Sequence, residues 1–261
     1  VSSSSRESLL HTYTLGSSTL QYVDDECEKD LGVYITPKLC WTSQCERIYS
    51  KASQQLGIVK RNSHFVVNKS SRRALYLSLV RSQFENCSII WRPTNSTLSN
   101  KLERIQKRGI KWILSEENVS YSSDEVYARK CKEVNILPLF AKFDLNDLIF
   151  FHKVVYDIIP VQLPSYLSFY QGTSRLRSCH LDTLSVVSAV IPRSSQNVAN
   201  STNQSRNAFS KSFFYRTHLL WNNLPLAIRQ IASQQNFKDE VTKHLWKTVL
   251  TNPDDSLDVL V

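Results

Sequence analysis

Five basic residues recur within a short stretch near the middle of the chain, and their spacing suits contact with phosphate groups. They are Lys101, Arg104, Lys107, Arg108 and Lys111. Each residue of a helix rotates about 100° around the axis, so these five lie within an arc of about 120°. The apolar residues of the same stretch lie on a separate arc: Leu102, Ile105, Trp112 and Ile113. Such a row can neutralise several phosphates together; the alternative interpretation is an ordinary solvated face.

The positive charge of the chain is concentrated in one segment. Residues 37–112 contain 15 Lys or Arg and 3 Asp or Glu, a net charge of +12, whereas the whole chain carries +9. Residues 1–36 carry −4 and residues 113–261 carry +1. This asymmetry indicates a polyanionic partner. We predict nucleic acid rather than a membrane, because the cations lie opposite an ordinary core stripe, with no separate face for insertion into lipid.

The elements that would position these cations are predicted to be helices. Only five of the 261 residues are Gly, and long stretches have apolar residues at the 3.6-residue period. We therefore predict a mainly α fold, with a small N-terminal β element followed by a helical bundle and a second helical C-terminal region. The predicted regions are a β element at 1–36, a basic bundle at 37–133, a linker helix at 134–159, a mixed, mostly helical region at 160–250 and a disordered acidic tail at 251–261.

Individual helices can be placed from the same periodicity. The predicted spans are about 41–61, 70–90, 97–114 and 122–133, then one from Pro138 to about 157, and helices again over 206–250. Asn68 and Ser70 are alternative capping residues for the second helix, and Pro93 follows its end. His152 lies on an apolar stripe, so we interpret it as an interior histidine and predict no metal site. A strand is predicted at Leu184–Ile191.

Other features concern the cellular location. The first residues include no apolar signal region, and no apolar run approaches the length of a membrane span. The six cysteines have no zinc-finger spacing, and we interpret them as reduced thiols. We therefore predict a nuclear and cytoplasmic protein that is not secreted. The chain contains no Met and begins with Val, so we expect a fragment of a longer protein.

A series of short motifs resembles the region that follows the polymerase palm in reverse transcriptases of non-LTR (LINE-type) retrotransposons, in the broad Jockey-like group. The motifs follow in order over more than 200 residues. They are Asp30-Leu31-Gly32-Val33, Trp41, Ile90-Trp91-Arg92-Pro93, Leu102-Glu103 with Gln106-Lys107-Arg108, Leu137-Pro138-Leu139, Asp144-Leu145, Arg216, Trp221-Asn222-x-Leu224-Pro225 and Phe237-Lys238. Two positions depart from the pattern: Gln44 replaces a usual His, and Ala141-Lys142-Phe143 replaces a paired-Arg segment.

The resemblance implies that residues 1–36 end a palm and that residues 37–133 form a thumb-like bundle that grips the RNA/DNA template–primer duplex. The parent would be an RNA-directed DNA polymerase with Mg²⁺ in its palm, and the rest of that polymerase would be a partner. No cofactor is expected in this chain. An alternative is a free-standing, non-enzymatic nucleic-acid-binding or adaptor protein derived from such an element. A helical scaffold without a nucleic-acid role is the third hypothesis.

One motif is similar to the catalytic Tyr-x-Asp-Asp of reverse transcriptases, namely Tyr22-Val23-Asp24-Asp25. Two-metal catalysis also needs an Asp from an upstream strand, and only 21 residues precede Tyr22. The following residues, Glu26-Cys27-Glu28, are not the apolar strand that the motif requires. We interpret the motif as a solvated acidic turn. We therefore predict no catalytic residue in this chain, and expect the chain alone to be inactive.

The predicted contacts with the duplex centre on the basic row. Lys101, Arg104, Arg108 and Lys111 are expected to bind most strongly, with Lys107 at the flank contributing less. The second wall of the groove is predicted to include Arg72, Arg73 and Arg81, and Lys51 is a further candidate. Since RNA-containing duplexes are recognised by shape and backbone, this binding would need no base-specific side chains.

Overall fold

The computed structural model describes residues 14–19, 27–36, 39–121, 123–169, 184–186 and 212–251. The Tyr22–Asp25 motif, the predicted tail from residue 252 onwards and most of the predicted strand at 184–191 lie outside the described residues.

Two short antiparallel hairpins precede the helices. The first pairs β1 (Thr14–Leu15) with β2 (Ser18–Thr19), and the second pairs β3 (Glu28–Asp30) with β4 (Val33–Ile35). The second hairpin turns at Leu31 and Gly32, whose φ angles are +45° and +86°. A two-residue turn of this kind needs positive φ at both positions, which Gly32 adopts without a steric penalty.

The rest of the described chain is mostly helical. The helices are α1 (Thr42–Asn62), α2 (Lys69–Leu75), a π-helical turn (Tyr76–Arg81), α3 (Ser82–Glu85), α4 (Ser88–Trp91), α5 (Ser96–Leu114), α6 (Asp124–Glu133), α7 (Leu139–Val155), α8 (Phe213–Asn223), α9 (Leu226–Arg229) and α10 (Gln234–Thr251). Strands β5 (Leu167–Phe169) and β6 (Leu184–Val186) form an antiparallel pair between α7 and α8. The predicted fold class, mainly helical with a small N-terminal β element, is confirmed.

One hydrophobic core joins the bundle to the C-terminal helices. Helix α7 packs against α5 and also against α8 and α10, so the predicted linker helix is a central element of this core. Buried side chains from successive helices include Leu56, Phe84, Ile105, Phe151, Trp221 and Phe237. None of the described helices combines the length and the apolar character that crossing a membrane requires.

The predicted helix over 70–90 is interrupted, which is a correction. Of the two predicted capping residues, Asn68 caps the helix and Ser70 does not: the Asn68 side chain accepts hydrogen bonds from the backbone N–H of Ser70 and Ser71. The helix stops at Glu85, and Cys87 adopts a left-handed conformation with φ +52°. The Trp91 indole N–H donates to the Asn86 carbonyl oxygen at 2.7 Å, which stabilises the break. The apolar residues recur at helical spacing on both sides of the break, so the sequence pattern alone predicts one continuous helix.

The π-helical turn packs closely against Gly109 of α5. A Cβ atom at this glycine would lie 2.2 Å from the ring of Tyr76, a fully buried side chain. Real atoms cannot approach so closely, and a buried ring in a close-packed core has little space to move. Gly109 is therefore required for the contact between α5 and the π-helical turn.

We expect Gly109→Ala to lower the free energy of unfolding by about 1–3 kcal/mol, because the added methyl group overpacks the core. Gly57→Ala in α1 is the matched control. A Cβ there would have its nearest neighbour, the Arg61 Nη1 atom, at 3.7 Å. The control should raise stability by about 0.5–1 kcal/mol through helix propensity. Urea denaturation measures both variants, and equal effects at the two positions would contradict the close packing of Tyr76.

Candidate nucleic-acid interface

The basic row lies on α5, a helix with well-defined ends. The Asn95 side chain accepts a hydrogen bond from the Thr97 backbone N–H at 2.8 Å, and Ser115 ends the helix in a left-handed conformation. All four predicted apolar positions of this helix are buried: Leu102, Ile105, Trp112 and Ile113. The predicted separation of an apolar face from a basic face is therefore confirmed.

One flank of the basic row borders α1. Three contacts connect the two segments: Lys101 with Glu46 at 3.6 Å, Arg108 Nη1 with Ser53 Oγ at 3.4 Å, and Lys60 of α1 with Glu117 just beyond α5 at 2.7 Å. Residue numbers rise together along both helices in these contacts, so α1 and α5 run parallel. The pair forms a two-helix surface along which Arg104 and Arg108 are exposed and the three lysines of the row are partly exposed.

The other flank borders α6 and the segment before it. Lys107 forms an ion pair with Asp124 at 3.2 Å and lies over the Tyr127 ring at 4.7 Å from its centroid. Lys111 lies over the Tyr121 ring at 4.9 Å. Aromatic faces attract cations without neutralising them, whereas the carboxylate of Asp124 offsets the charge of Lys107.

Arg104 occupies the middle of the exposed face between these flanks. Its side chain is exposed, and it has no ion pair within the part of the chain that the structure describes. It borders a cavity of about 300 Å³ whose other lining residues include Lys107, Asp124 and Pro138. Arg104 and the exposed Arg108 are consequently the most accessible cations of the row.

Arg72 and Arg73 bind the ends of other helices instead of forming a second wall. The Arg72 Nη1 atom donates to the carbonyl oxygen of Trp112 at 2.8 Å, at the last turn of α5. The Arg73 Nε atom donates to the carbonyl oxygen of Val134 at 2.7 Å, just after α6. Terminal carbonyls of helices have no partner within the helix, so both arginines act as C-terminal caps. Both guanidinium groups are thus already bound within the protein.

The structure also separates Arg81 and Lys51 from the row. The Arg81 side chain is only 3% exposed and forms an ion pair with Glu85 at 3.0 Å, which corrects the expectation that it contacts a duplex. Lys51 is exposed, but it lies about 160° around α1 from Ser53, the residue that contacts α5. Lys51 therefore faces a different side of the bundle.

A buried polar network beneath the basic row was missed by the sequence analysis. The Glu103 carboxylate accepts hydrogen bonds from the Leu139 backbone N–H, at 3.1 and 3.2 Å, and from the Tyr127 hydroxyl. Gln106 Nε2 donates to the Leu137 carbonyl oxygen at 2.9 Å. Burial raises the pKa of Glu103, although the hydrogen bonds from the Tyr127 hydroxyl and the Leu139 N–H act to lower that pKa. The network attaches α5 to the beginning of α7, so the exposed face is rigidly held.

A second buried cluster joins residues that are far apart in sequence. Arg92 Nη1 and Arg216 Nε both donate to Asp147 Oδ2 at 2.9 Å, and Arg92 Nη2 lies 2.7 Å from Asp144 Oδ1. The side chains of Arg92, Asp147 and Arg216 are 6%, 1% and 6% exposed. Burial acts to lower the pKa of Arg92, but the two carboxylates outweigh it and raise that pKa. Three motifs of the resemblance thus meet in this cluster.

His152 is an interior histidine, as the sequence predicts. Its ring is fully buried and stacks on Phe237, with ring centroids 4.2 Å apart. The Nε2 atom lies 2.7 Å from the Ile231 carbonyl oxygen. A carbonyl oxygen only accepts, so Nε2 carries the proton and Nδ1 is unprotonated in the neutral ring. Burial lowers the pKa of His152.

We expect the stability of the protein to fall as the pH drops below about 6.5, the ordinary pKa of histidine. In this range His152 takes up a proton in the unfolded chain but stays neutral in the folded chain. Its contribution to stability is therefore complete above about pH 6.5 and is lost as the pH falls towards the lower folded-state pKa. Burial shifts the pKa of His218 and His244 in the same direction. Melting temperatures from about pH 8 to pH 5 should show a smaller slope in His152→Gln; equal slopes would contradict the role of this ring.

Comparisons with protein-family models, with curated proteins and with solved structures found no match to this chain. The structure nevertheless gives several motif residues a defined contact. Trp221 is 1% exposed, with its ring 5.5 Å from that of Phe151 and 5.7 Å from that of Phe237, measured between centroids. The last motifs of the chain therefore supply part of the core.

Proposed function

We propose that this chain is the thumb and post-thumb region of a non-LTR, LINE-type reverse transcriptase, and that the exposed face of α5 binds the template–primer duplex. One observation carries the proposal. Arg104 and Arg108 lie side by side in solvent on a helix whose opposite face is buried in the core. From Lys101 to Lys111 the row rises about 15 Å, enough for several phosphates of one strand.

The charge around α1 and α2 supports a polyanion as the partner. Residues 47–84 contain eight Lys or Arg and no Asp or Glu. Glu46 and Asp124 pair with Lys101 and Lys107 at the flanks of α5, and Arg104 in the exposed middle of the helix has no ion pair among the described residues. Lys60, Lys69 and Arg81 of this segment pair with Glu117, Glu133 and Glu85. The remaining excess of positive charge favours a partner with many negative charges rather than a single small anion.

The rigid attachment of α5 supports recognition by shape. The Glu103 network fixes the helix to α7, and the Arg72 guanidinium caps its C-terminal end. Because the helix is already held in place, its backbone needs no ordering when a duplex binds, and only the entropy of the cationic side chains is lost. Phosphate contacts of this kind position a duplex without reading its sequence.

Filter binding of the purified chain to an RNA–DNA duplex tests this function. Between about 50 mM and 200 mM salt, we expect affinity to fall by about 40- to 150-fold, since three to four phosphates are neutralised together. Duplexes of unrelated sequence should bind with similar affinity. No binding at the lower salt concentration, or binding that salt does not weaken, would overturn the proposal.

A free-standing nucleic-acid-binding or adaptor protein derived from such an element is the second candidate. The continuous core from β4 to α10 favours it, because one cluster of buried apolar side chains joins these elements. The reading frame upstream of Val1 distinguishes the candidates. Palm motifs there would support the polymerase, whereas a nearby start codon would support the separate protein.

A further inference from the structure

The loop between α1 and α2 exposes two apolar side chains. Phe65 is 71% exposed and Val67 is 82% exposed, and only one residue separates them. Single exposed apolar residues are common on protein surfaces, whereas two such residues close together in a basic segment indicate a binding role.

Hydrogen bonds hold this loop in a defined conformation. The Val66 backbone N–H donates to the Ser63 carbonyl oxygen at 3.0 Å, and the Val66 carbonyl oxygen accepts from Arg72 Nε at 2.6 Å. The His64 ring lies edge-on to the Phe65 ring, with centroids 5.6 Å apart. The backbone thus fixes the position from which Phe65 projects into solvent.

The loop lies at the end of the basic row. The same Arg72 guanidinium that binds Val66 also donates through Nη1 to the Trp112 carbonyl oxygen and to Ser115 Oγ, at 2.8 and 2.7 Å. Both acceptors belong to the C-terminal end of α5. A strand whose phosphates follow α5 towards this end therefore approaches the loop.

The charge of the loop complements nucleic acid. It lies within the acid-free segment 47–84, next to the exposed Arg61. The carboxylates that approach its two ends, Glu117 and Glu133, are paired with Lys60 and Lys69. Proteins that bind single strands stack unpaired bases on exposed aromatic side chains in positively charged surroundings, because every base has an aromatic face. A protein partner would have to be strongly acidic to use the same surface.

We propose that Phe65 stacks on an unpaired base where the bound duplex passes into single strand, with Val67 beside it. This inference rests on the proposed duplex binding by α5. It adds a specific substrate feature, namely the junction between paired and unpaired nucleotides.

Two RNA–DNA probes test the inference. One carries a single-stranded extension with a fluorescent purine analogue at the first unpaired position, and the other is the same duplex closed by flexible non-nucleotide linkers at both ends. The variants are Phe65→Ala, Phe65→Leu and Phe65→Trp. Leu219→Ala removes a 41% exposed side chain from α8 and serves as the matched control. Circular dichroism verifies that each variant is folded.

The wild type should bind the extended probe more tightly and quench its fluorescence. Phe65→Ala should bind that probe about 5- to 150-fold more weakly, the range expected for one stacked base, and should bind the closed duplex as the wild type does. Phe65→Leu keeps apolar area but not the aromatic face, so it should resemble the alanine variant, while Phe65→Trp and Leu219→Ala should behave as wild type.

The outcomes separate this inference from the proposed function. If every variant binds both probes as the wild type does, with steep salt dependence, duplex binding stands and stacking by Phe65 is overturned. If Phe65→Leu binds as the wild type does, the ring is not stacking. If sedimentation shows a dimer that Phe65→Ala dissolves, the loop is a contact between copies of the chain. If no probe binds at low salt, the proposed function itself fails.

Discussion

Replacing Lys101, Arg104, Arg108 and Lys111 together by Gln is expected to weaken duplex binding for all sequences alike. The slope of log affinity against log salt should flatten by about three to four units. Each phosphate contact that is lost reduces the number of counterions released when the duplex binds. Glutamine preserves helix propensity, and the exposed ion pair of Lys101 with Glu46 contributes little to stability. The variant should therefore remain folded while losing its affinity.

A second quadruple variant controls for the loss of charge. Its four replaced residues are exposed cations on α6 and α10: Arg129, Lys238, Lys243 and Lys247. Each is also changed to Gln, so both variants lose four charges. If the two variants flatten the salt slope equally, the effect arises from net charge and not from a binding surface. If the α5 variant is folded and keeps the wild-type slope, the duplex binds elsewhere.

Asp147→Ala is expected to lower the free energy of unfolding by about 3–5 kcal/mol. The substitution leaves Arg92 and Arg216 buried without the carboxylate that they share. An uncompensated buried charge is costly because the interior solvates it poorly. Asp144→Asn should cost less, since Asp144 is 17% exposed and contacts Arg92 alone among the ion pairs described.

Two further variants test this explanation. Asp239→Ala, on the exposed side of α10, should change stability by less than about 0.5 kcal/mol. A variant with Arg92→Met, Asp144→Asn, Asp147→Leu and Arg216→Met removes every charge of the cluster, and it should recover a substantial part of the loss in Asp147→Ala. Urea denaturation measures all of them. A loss below about 1 kcal/mol in Asp147→Ala would contradict the role assigned to this cluster.

Local patterns in the sequence were sufficient to place most of the helices. The spans predicted for α1, α5 and α7 agree with the structure within about two residues. Their apolar residues recur at the helical period, and burial follows that period directly. The cap at Asn68 and the interior position of His152 were predictable for the same reason: both depend on residues a few positions away.

Long-range polar contacts could not be predicted in this way. Arg73 and the Val134 carbonyl that it binds are 61 residues apart, and Arg216 and Asp147 are 69 apart. A sequence gives the number of cations in a segment, but whether a guanidinium faces water or a helix end depends on packing that is distant along the chain. For this reason Arg72, Arg73 and Arg81 were expected at the interface, although their partners lie within the protein.

The central position of α7 affects how the protein unfolds. Leu139 supplies the N–H that Glu103 of α5 binds, and Asp147 of the same helix holds Arg92 and Arg216. A break in α7 would therefore remove partners from the basic bundle and from the C-terminal helices at once. The two regions are thermodynamically coupled, and we expect a single cooperative unfolding transition in place of two. A chain shortened to the bundle alone would lack the backbone groups that hold α5 in place.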